Sequence, residues 1–505
     1  MPATEDEETA CLLDEATHGK ASKVRAASRV FGVRHLQIGL MFLALVCAYA
    51  MRVNMSVAIV SMTDRNGSNP DFEEYDWSPE TQSTILSSFF WGYVVTQIPG
   101  GQLAQRYGPK MFLLGAIGVC GLFNIFTPLA ASCGGWGLVC ACRVVQGLAQ
   151  GTTFPCIHTL LSKWAPVEER GNLATYVYAG TQFGTIVALP ISGLLAKSSI
   201  GWPGVFYVFG GISLMWAVLW SFLGADSPET HGFIPPDEKL YIQASLERIS
   251  SANKGFKTPW RYIMTSVPMI SLILAHCGQN WGFWTLLTEM PSYMNHVLKY
   301  DIKKNTLLSS LPYLAMWLMS FVFCWASGYL EERKMITLTT SRKIFNSIAQ
   351  GIPGIALVGL GYVQKGNGAL AVALLTIAMG VNSGTYVGFQ VNHIDLSPNY
   401  AGTMMGITNC AANIMSILGP LFVGLVVKDQ ENIAEWRTAF FVAAAVYFLS
   451  TLNFVLFGSA EVQPWNDPEY KKTKNQMELK QREEKNLDNH AFEGSPTSGG
   501  DSDAR

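Results

Sequence analysis

Long apolar runs alternate with short polar segments along the chain, and this alternation predicts its structural elements. Each run has roughly 20 residues or more, the length at which an α-helix crosses the ~30 Å hydrocarbon layer of a bilayer. The first six runs lie at about 36–62, 81–104, 109–131, 136–162, 171–196 and 202–224. Six more follow at about 262–290, 305–330, 342–363, 366–391, 402–428 and 436–460. The pattern predicts an all-α polytopic membrane protein with twelve transmembrane helices in two six-helix halves.

The polar segments complete the predicted layout. A tail (1–35) precedes the first half (36–224), a central loop (225–261) joins it to the second half (262–460), and a polar tail (461–505) predicts disorder. The first apolar run begins only after the long polar tail, so no cleaved signal peptide is predicted. Lys and Arg outside the helices number about 18 on the side of the N-terminus and about 8 on the other. This bias predicts that the central loop and both termini are cytoplasmic.

Composition excludes several other classes of protein. Hydrophobic residues make up 49% of the chain and charged residues 14%, unlike an ordinary soluble domain. A formal net charge of -2 gives no reason to expect a nucleic-acid partner. The cysteines lack the paired spacing of a metal site, so we expect no metal and no cofactor. No nucleophile motif or phosphate-binding loop indicates an enzyme, and a non-transporting receptor is a distant alternative. The sequon at Asn66, in the first outer loop, predicts glycosylation.

Two arginines interrupt the apolar pattern, in the first and fourth predicted helices. At 1.5 Å per residue, Arg52 lies about 15 Å and Arg143 about 10 Å below the outer boundary. A charge at such depth costs on the order of 2.5–3.5 kcal/mol, and the two cations repel each other. Guanidinium donors match the oxygens of phosphate and carboxylate, so the pair predicts an anion-binding cavity. Snorkelling or a structural ion pair is the alternative for either arginine alone.

Other polar residues lie within the apolar runs. Gln146 and Gln150 share a helix face with Arg143, so this face is expected to line the cavity. Further candidate substrate contacts are Tyr93, Gln279, Asn280 and Trp281, and candidate coupling residues are His158, Asn409 and Asn413. Packing, or a hydrogen bond between helices, is the alternative for each of them.

Short basic loops at equivalent places in the two halves predict a gate. The loop after the second helix carries Arg106 and Lys110, and the loop after the eighth carries Arg333. The first of these loops resembles the signature loop of the major facilitator superfamily. That pattern has an acidic residue where this chain has Gln105, which makes the usual charge relay at this gate doubtful. The glycine-rich fifth helix also resembles that superfamily.

Three longer strings resemble one family within it. They run from Arg52 to Met62, from Ser88 to Gly101 and from Trp164 to Arg170. Together they resemble the anion:cation symporter family, which contains type I sodium/phosphate cotransporters, sialin and vesicular glutamate transporters. The resemblance extends from about Arg34 to Ser459. It implies a major facilitator fold, alternating access by a monomer and transport of small anions, with Arg52 and Arg143 matching the two arginines that coordinate substrate.

Departures from the family pattern narrow the expected substrate. Proton-coupled members carry glutamates where this chain has Gln146 and Gln150, and a glutamine side chain cannot carry a proton. Leu86 and Gln279 replace a histidine and an arginine of the vesicular glutamate carriers. The chain therefore most resembles the sodium/phosphate branch, in particular insect-type inorganic phosphate cotransporters, which implies sodium as the co-transported ion and a plasma-membrane location.

An organic anion carrier is the alternative. A sialin-like protein, driven by protons or membrane potential, would lie in endosomal or lysosomal membranes. The N-terminal tail carries Leu12 and Leu13 after acidic residues, which resembles a dileucine signal for that route. Two arginines suit organic anions as well as phosphate, so the sequence leaves both alternatives open.

Overall fold

The computed structural model describes residues 31–63, 69, 71–247, 258–296, 306–364, 366–429 and 431–467. Three sequence predictions lie outside these residues and stay predictions. They are glycosylation at Asn66, the dileucine signal at Leu12 and Leu13, and disorder of the C-terminal tail.

The first half begins with a long helix and ends just before the central loop. Its helices are α1 (Val33–Thr63), α2 (Pro79–Tyr107), α3 (Pro109–Gln150), α4 (Thr153–Trp164), α5 (Arg170–Lys197) and α6 (Gly201–Leu223). Helix α3 supplies the third span and then turns at Gly135, where φ is 59° and ψ is −155°. Glycine suits this turn because a positive φ is sterically unfavourable for other residues. The remainder of α3, together with α4, forms the fourth span.

The central loop and the second half follow the same pattern. Helices α7 (Pro236–Glu247) and α8 (Trp260–Thr265) lie in the loop. The second half contains α9 (Val267–His296), α10 (Thr306–Glu332), α11 (Leu338–Leu360), α12 (Gly368–Asn382), α13 (Phe389–Leu396), α14 (Ala401–Val426) and α15 (Ile433–Phe457). The tenth span is therefore two helices, α12 and α13, joined by residues 383–388.

The predicted twelve-helix membrane fold is confirmed. Nine helical stretches of the described residues are long and apolar enough to cross a membrane, and one of them, Pro109–Trp164, contains two spans. The other two spans, α2 and α9, carry more polar side chains. The tenth span is interrupted, because the backbone departs from helical geometry at Gly388, where ψ is −119°. A glycine-containing break of this kind is tolerated in a membrane where it is buried in protein.

Helix packing defines each half and the contact between them. In the first half, α1 packs on α5 and α2 packs on α3; in the second, α9 packs on α14 and α15. The halves meet where α2 packs on α14 and where α5 packs on α10. We call the side of the bundle at which α1 begins and α15 ends the terminal face.

At the terminal face, helix α7 of the central loop is fixed to the first half through Glu238. Its carboxylate accepts hydrogen bonds from the backbone N–H groups of Val33 (2.9 Å) and Arg34 (3.0 Å). It also accepts one from Nη1 of Arg34 at 3.1 Å. These bonds satisfy donors that the first turn of a helix cannot satisfy itself, and the negative charge suits the positive end of the helix dipole. Glu238 therefore caps α1 from a distant part of the chain.

Replacing Glu238 with alanine should destabilise the fold. We expect a loss of about 1.5–3 kcal/mol, the range for hydrogen bonds that involve a charged group. Thermal unfolding of the purified protein measures this effect. Asp237→Ala is the matched control, because Asp237 lies in the same turn of α7 but is exposed. Equal losses in the two variants would show that Glu238 does not act as the cap.

Candidate functional site

Arg52 of α1 and Arg143 of α3 converge on one aromatic ring. The Cζ atom of each guanidinium lies 4.9 Å from the centroid of the Phe89 ring, on α2. The two Cζ atoms are therefore no farther apart than twice this distance. The structure thus brings to one site two cations that lie on different helices and far apart in sequence.

Aromatic rings surround Arg52. Its Cζ atom lies 4.8 Å from the ring centroid of Tyr49 and 4.5 Å from that of Tyr93, in addition to Phe89. Tyr49 precedes Arg52 by three residues on α1, and Phe89 precedes Tyr93 by four on α2, so both helices turn aromatic side chains to this point. Ring faces attract a cation without neutralising its charge. The site therefore holds Arg52 in place and leaves it positively charged.

Two glutamines of α3 supply the hydrogen bonds to the arginines. Nη2 of Arg52 donates to Oε1 of Gln150, and Nη1 of Arg143 donates to Oε1 of Gln146, both at 3.3 Å. The amide nitrogen of Gln150 donates to the backbone oxygen of Ala48 at 3.0 Å, which turns its oxygen toward Arg52. Both acceptors are neutral. The glutamines orient the guanidinium groups and compensate none of their charge.

Both arginines retain unused donors. The Nε atom of each is buried and has no hydrogen-bond partner among the described residues. Among the described residues, the guanidinium groups of Arg52 and Arg143 form no ion pair, whereas those of Arg34, Arg170 and Arg342 do. A buried donor without a partner costs about 1–3 kcal/mol, and more when it is charged. The site is therefore positively charged, rich in donors and complementary to an anion.

Comparison with known proteins shows the family to which the chain belongs. The family model described as "Major Facilitator Superfamily" matches residues 41–420. The chain belongs to the major facilitator superfamily. A solved structure of the proton:xylose symporter XylE, bound to 6-bromo-6-deoxy-D-glucose, has the same fold, with a TM-score of 0.65 at 16% sequence identity. That match covers 86% of this chain and 99% of the symporter.

Curated relatives of this facilitator confirm its place in the anion:cation symporter family. The "Putative inorganic phosphate cotransporter" of Drosophila ananassae is 42% identical, over 85% of this chain and 93% of its own length. Sialin of Homo sapiens is 38% identical, over 90% of this chain and 94% of its own length. "Vesicular glutamate transporter 3" of Danio rerio is 35% identical, over 84% of this chain and 72% of its own length.

The facilitator is closed at the terminal face. Nε2 of Gln102, near the end of α2, donates to Oγ1 of Thr403 on α14 at 2.6 Å, and this hydroxyl donates to Oε1 of Gln105 at 3.0 Å. At the second contact between the halves, where α5 packs on α10, Sγ of Cys324 donates to Oδ1 of Asn172 at 3.3 Å. Gln105, which replaces the acidic residue of the superfamily loop, thus joins the halves through a neutral hydrogen bond.

A buried ion network adds to this closure. Asp395 of α13 binds Nε of Arg342 at 2.8 Å within the second half and Nη1 of Arg170, from the first half, at 3.9 Å. Arg342 also binds Oε1 of Glu331 at 3.0 Å. The side chains of both arginines and of Asp395 are almost fully buried. The Asp395 carboxylate therefore neutralises buried charge from both halves at once.

The predicted gate residues lie elsewhere on the terminal face. Arg106 and Arg333 are exposed, and each stacks on a tyrosine of its own helix, with Cζ 5.3 and 5.0 Å from the ring centroid. The backbone N–H of Lys110 donates to Oδ1 of Asp226, at the start of the central loop, at 2.7 Å. None of these contacts joins the two halves. The halves are instead joined at the terminal face by the contacts of Thr403 and Asp395.

The predicted contacts on α9 face the interior of the second half. Gln279 and Asn382 exchange side-chain amide hydrogen bonds. Nδ2 of Asn280 donates to Oγ of Ser416 at 3.1 Å, and Trp281 packs against the apolar core of this half. These side chains have protein partners in this structure, unlike the Nε atoms of the two arginines.

Two of the candidate coupling residues, Asn409 and His158, contact the opposite half. Nδ2 of Asn409 on α14 donates to the hydroxyl of Tyr93 at 3.3 Å, and Nδ2 of Asn413 donates to the backbone oxygen of Asn409 at 2.7 Å. Because Tyr93 stacks on Arg52, this contact connects the arginine site with the second half. Nε2 of His158 lies 3.1 Å from the backbone oxygen of Gln390, so His158 also reaches the second half.

Adding a methyl group at Gly406 should weaken closure of the terminal face. An added Cβ would lie 2.5 Å from the backbone oxygen of Gln97 in the opposite half. Overpacking of this kind costs typically about 1–3 kcal/mol. We expect Gly406→Ala to shift the distance between nitroxide labels on Phe233→Cys, in the central loop, and Met335→Cys, in the second half, toward longer values; both positions are exposed. Gly424→Ala on the same helix is the control, since its Cβ would meet no atom within 4 Å; an equal shift there would contradict the argument.

Proposed function

We propose that the chain is a secondary active transporter that carries inorganic phosphate together with sodium by alternating access. The observation that carries the proposal is the pair of guanidinium groups beside Phe89, each with a buried, unused Nε donor. Phosphate presents several oxygens and can accept hydrogen bonds from both arginines at once. A bound anion would also offset the positive charge that the glutamines leave uncompensated.

Sodium is the coupling ion of this proposal. Gln146 and Gln150 contact the arginines but have no titratable proton, so these positions offer no means of proton coupling. Co-transport of a cation lowers the electrical cost of moving an anion into a negatively charged cytoplasm. The relatedness to a protein named as an inorganic phosphate cotransporter supports phosphate as the substrate.

The conformation supports uptake from the side opposite the terminal face. Arg52 retains partial exposure while the terminal face is closed, and we infer that substrate reaches it from the opposite side. With both termini in the cytoplasm, as the sequence predicts, this conformation would be the outward-facing state of a carrier in the plasma membrane. Separation of the halves at Thr403 and Asp395 would then release phosphate and sodium into the cytoplasm.

An organic anion is the second candidate substrate. Tyr49, Phe89 and Tyr93 place aromatic surfaces beside Arg52, and such surfaces pack well against a carbon skeleton. The similarity to sialin favours the same alternative. In this case the carrier would be driven by protons or membrane potential and would act in endosomal or lysosomal membranes.

Uptake into proteoliposomes that contain only this protein would distinguish the two candidates. Labelled phosphate and labelled sialic acid are offered under a sodium gradient, under a proton gradient and with choline in place of sodium. The proposal predicts saturable phosphate uptake that requires sodium. Uptake of sialic acid under a proton gradient, without sodium-dependent phosphate uptake, would support the second candidate. Absence of both would contradict the transport proposal.

A further inference from the structure

Three buried histidines from both halves meet at the interface that closes the terminal face. His158 lies on α4 of the first half, whereas His276 of α9 and His393 of α13 belong to the second. The ring centroid of His393 lies 5.2 Å from that of His158 and 6.2 Å from that of His276. All three side chains are at most 4% exposed. Ionisable groups inside a membrane protein are costly, and such a cluster indicates a function.

The hydrogen bonds of His276 and His393 can be assigned with both imidazoles neutral. The backbone oxygen of Gln390 lies 3.0 Å from Nδ1 of His393 and 3.1 Å from Nε2 of His158, and a carbonyl oxygen can only accept. With hydrogen on Nδ1, Nε2 of His393 accepts from the hydroxyl of Thr408 at 2.7 Å. This hydroxyl in turn accepts from Nδ1 of His276 at 3.1 Å. One N–H per ring suffices for the contacts of His276 and His393. Nδ1 of His158 also lies 3.0 Å from the backbone oxygen of Phe154, so a neutral His158 donates to only one of its two carbonyl neighbours.

No opposite charge faces the cluster. Helix α5 contributes the Tyr178 hydroxyl, 2.9 Å from Nε2 of His158, and α14 contributes only Thr408. Asp395, two residues beyond His393 on α13, is bound by Arg342 and Arg170. Among the described residues, none of the three imidazoles forms an ion pair with a carboxylate. Protonation of any imidazole would therefore bury a charge without a counter-ion, which costs several kcal/mol.

We propose that His158, His276 and His393 form a proton-binding site that becomes available only when the halves separate at the terminal face. Separation breaks the contact between His158 and the Gln390 carbonyl and admits water to the imidazoles. Protonated histidines then oppose closure, because closure would bury their charges next to one another. Acid on the side of the terminal face thus holds the carrier open on that side.

This proton is regulatory and is not transported. It binds and leaves from the same side, since the site is buried whenever the terminal face is closed. Hydrated histidines titrate near pH ~6.5, so each pH unit below that value disfavours closure about tenfold for every histidine involved. The inference rests on the alternating access of the proposed function and is independent of the anion that is carried.

The distance between nitroxide labels on Phe233→Cys and Met335→Cys tests the proposal without any substrate. The labels are placed in the purified chain with the exposed Cys133 and the tail Cys11 replaced by serine. Lowering the pH from about 7.5 to about 5.5 should increase the ratio of open to closed molecules at least tenfold. An unchanged ratio would overturn the proposal, whatever the outcome of the phosphate uptake measurement.

Variants show whether the histidines cause the change. The combination His158→Gln, His276→Asn and His393→Asn should remove the pH dependence. If this combination does not fold, His158→Gln alone, which keeps a donor toward Gln390, should reduce the pH dependence. His231→Gln, in the central loop at the same face, is the control and should leave it intact. A pH response that persists in a folded cluster variant, or one that is lost in the control, would overturn the assignment.

Discussion

Lysine in place of either arginine of the anion site should reduce phosphate transport at least 100-fold. Lysine keeps the positive charge, but it lacks the planar fork of donors that can bind two oxygens of one anion, and it stacks less well on the rings beside Arg52. A loss of this size corresponds to about 3 kcal/mol of binding free energy. Initial rates of labelled phosphate uptake for Arg52→Lys and Arg143→Lys, corrected for the amount of folded protein, measure the effect.

Arg437→Lys is the matched control for these substitutions. Its Cζ atom also lies over an aromatic ring, 4.8 Å from the centroid of Tyr362, and its Nε donates to the backbone oxygen of Gly361 at 2.9 Å. Arg437 thus shares the stacking geometry but has a carbonyl partner and lies in the second half. We expect nearly normal uptake. Near-normal uptake in both site variants would refute a role for the two guanidinium groups in holding the anion.

Replacing Asp395 with asparagine should destabilise the protein more than any other single change considered for the terminal face. The substitution leaves Arg170 without its only ion-pair partner among the described residues and Arg342 with Glu331 alone. Removing one partner of a buried ion pair costs about 3–5 kcal/mol. Thermal unfolding of purified Asp395→Asn, compared with the unchanged chain, measures the loss. Asp429→Asn, at an exposed position, should have no measurable effect.

Substitutions of Arg170 and Arg342 should have different effects, the first on closure of the terminal face and the second on stability. Arg170→Gln removes only the contact between the halves, because Asp395 keeps its 2.8 Å bond to Arg342. We therefore expect the label distance between positions 233 and 335 to increase while the unfolding temperature changes little. Arg342→Gln should instead lower the unfolding temperature. The reverse pattern would contradict the assignment of Arg170 to closure.

The fold could be predicted from the sequence because bilayer thickness fixes the length of each apolar run. The predicted limits of the first span, about 36–62, agree closely with α1 at Val33–Thr63. The break at residues 383–388 was not predicted, because it lies inside the apolar run of about 366–391 and run length does not show where a helix is interrupted. The backbone oxygen of Val387, in this break, accepts a hydrogen bond from Arg342, a contact between distant parts of the chain.

The candidate site could be predicted only in part. A charge inside an apolar run is visible in the sequence, so Arg52 and Arg143 could be named, and helical spacing added Gln146 and Gln150. Phe89 was not predicted, although its four-residue spacing from Tyr93 places both on one face of α2. The histidine cluster was missed because His276 and His393 were not considered as polar interruptions of apolar runs, and their meeting with His158 depends on how the halves pack.

Closure of the terminal face also depends on packing that the sequence does not specify. Thr403 is an ordinary residue near the start of α14, and its role follows only from its position between Gln102 and Gln105. Asp395 lies just beyond the predicted end of the tenth helix, where a charged residue is unremarkable. The basic residues of the two short loops led to the prediction that Arg106, Lys110 and Arg333 form the gate.

Equilibrium binding of phosphate to the purified protein tests the central claim most directly. Calorimetric titration of the unchanged chain, in the presence of sodium, should show saturable binding of one phosphate per molecule. The double variant Arg52→Lys, Arg143→Lys, folded to the same extent, should show no saturable binding over the same concentration range. Binding of phosphate by the double variant with unchanged affinity would contradict the claim that the two arginines form the anion site.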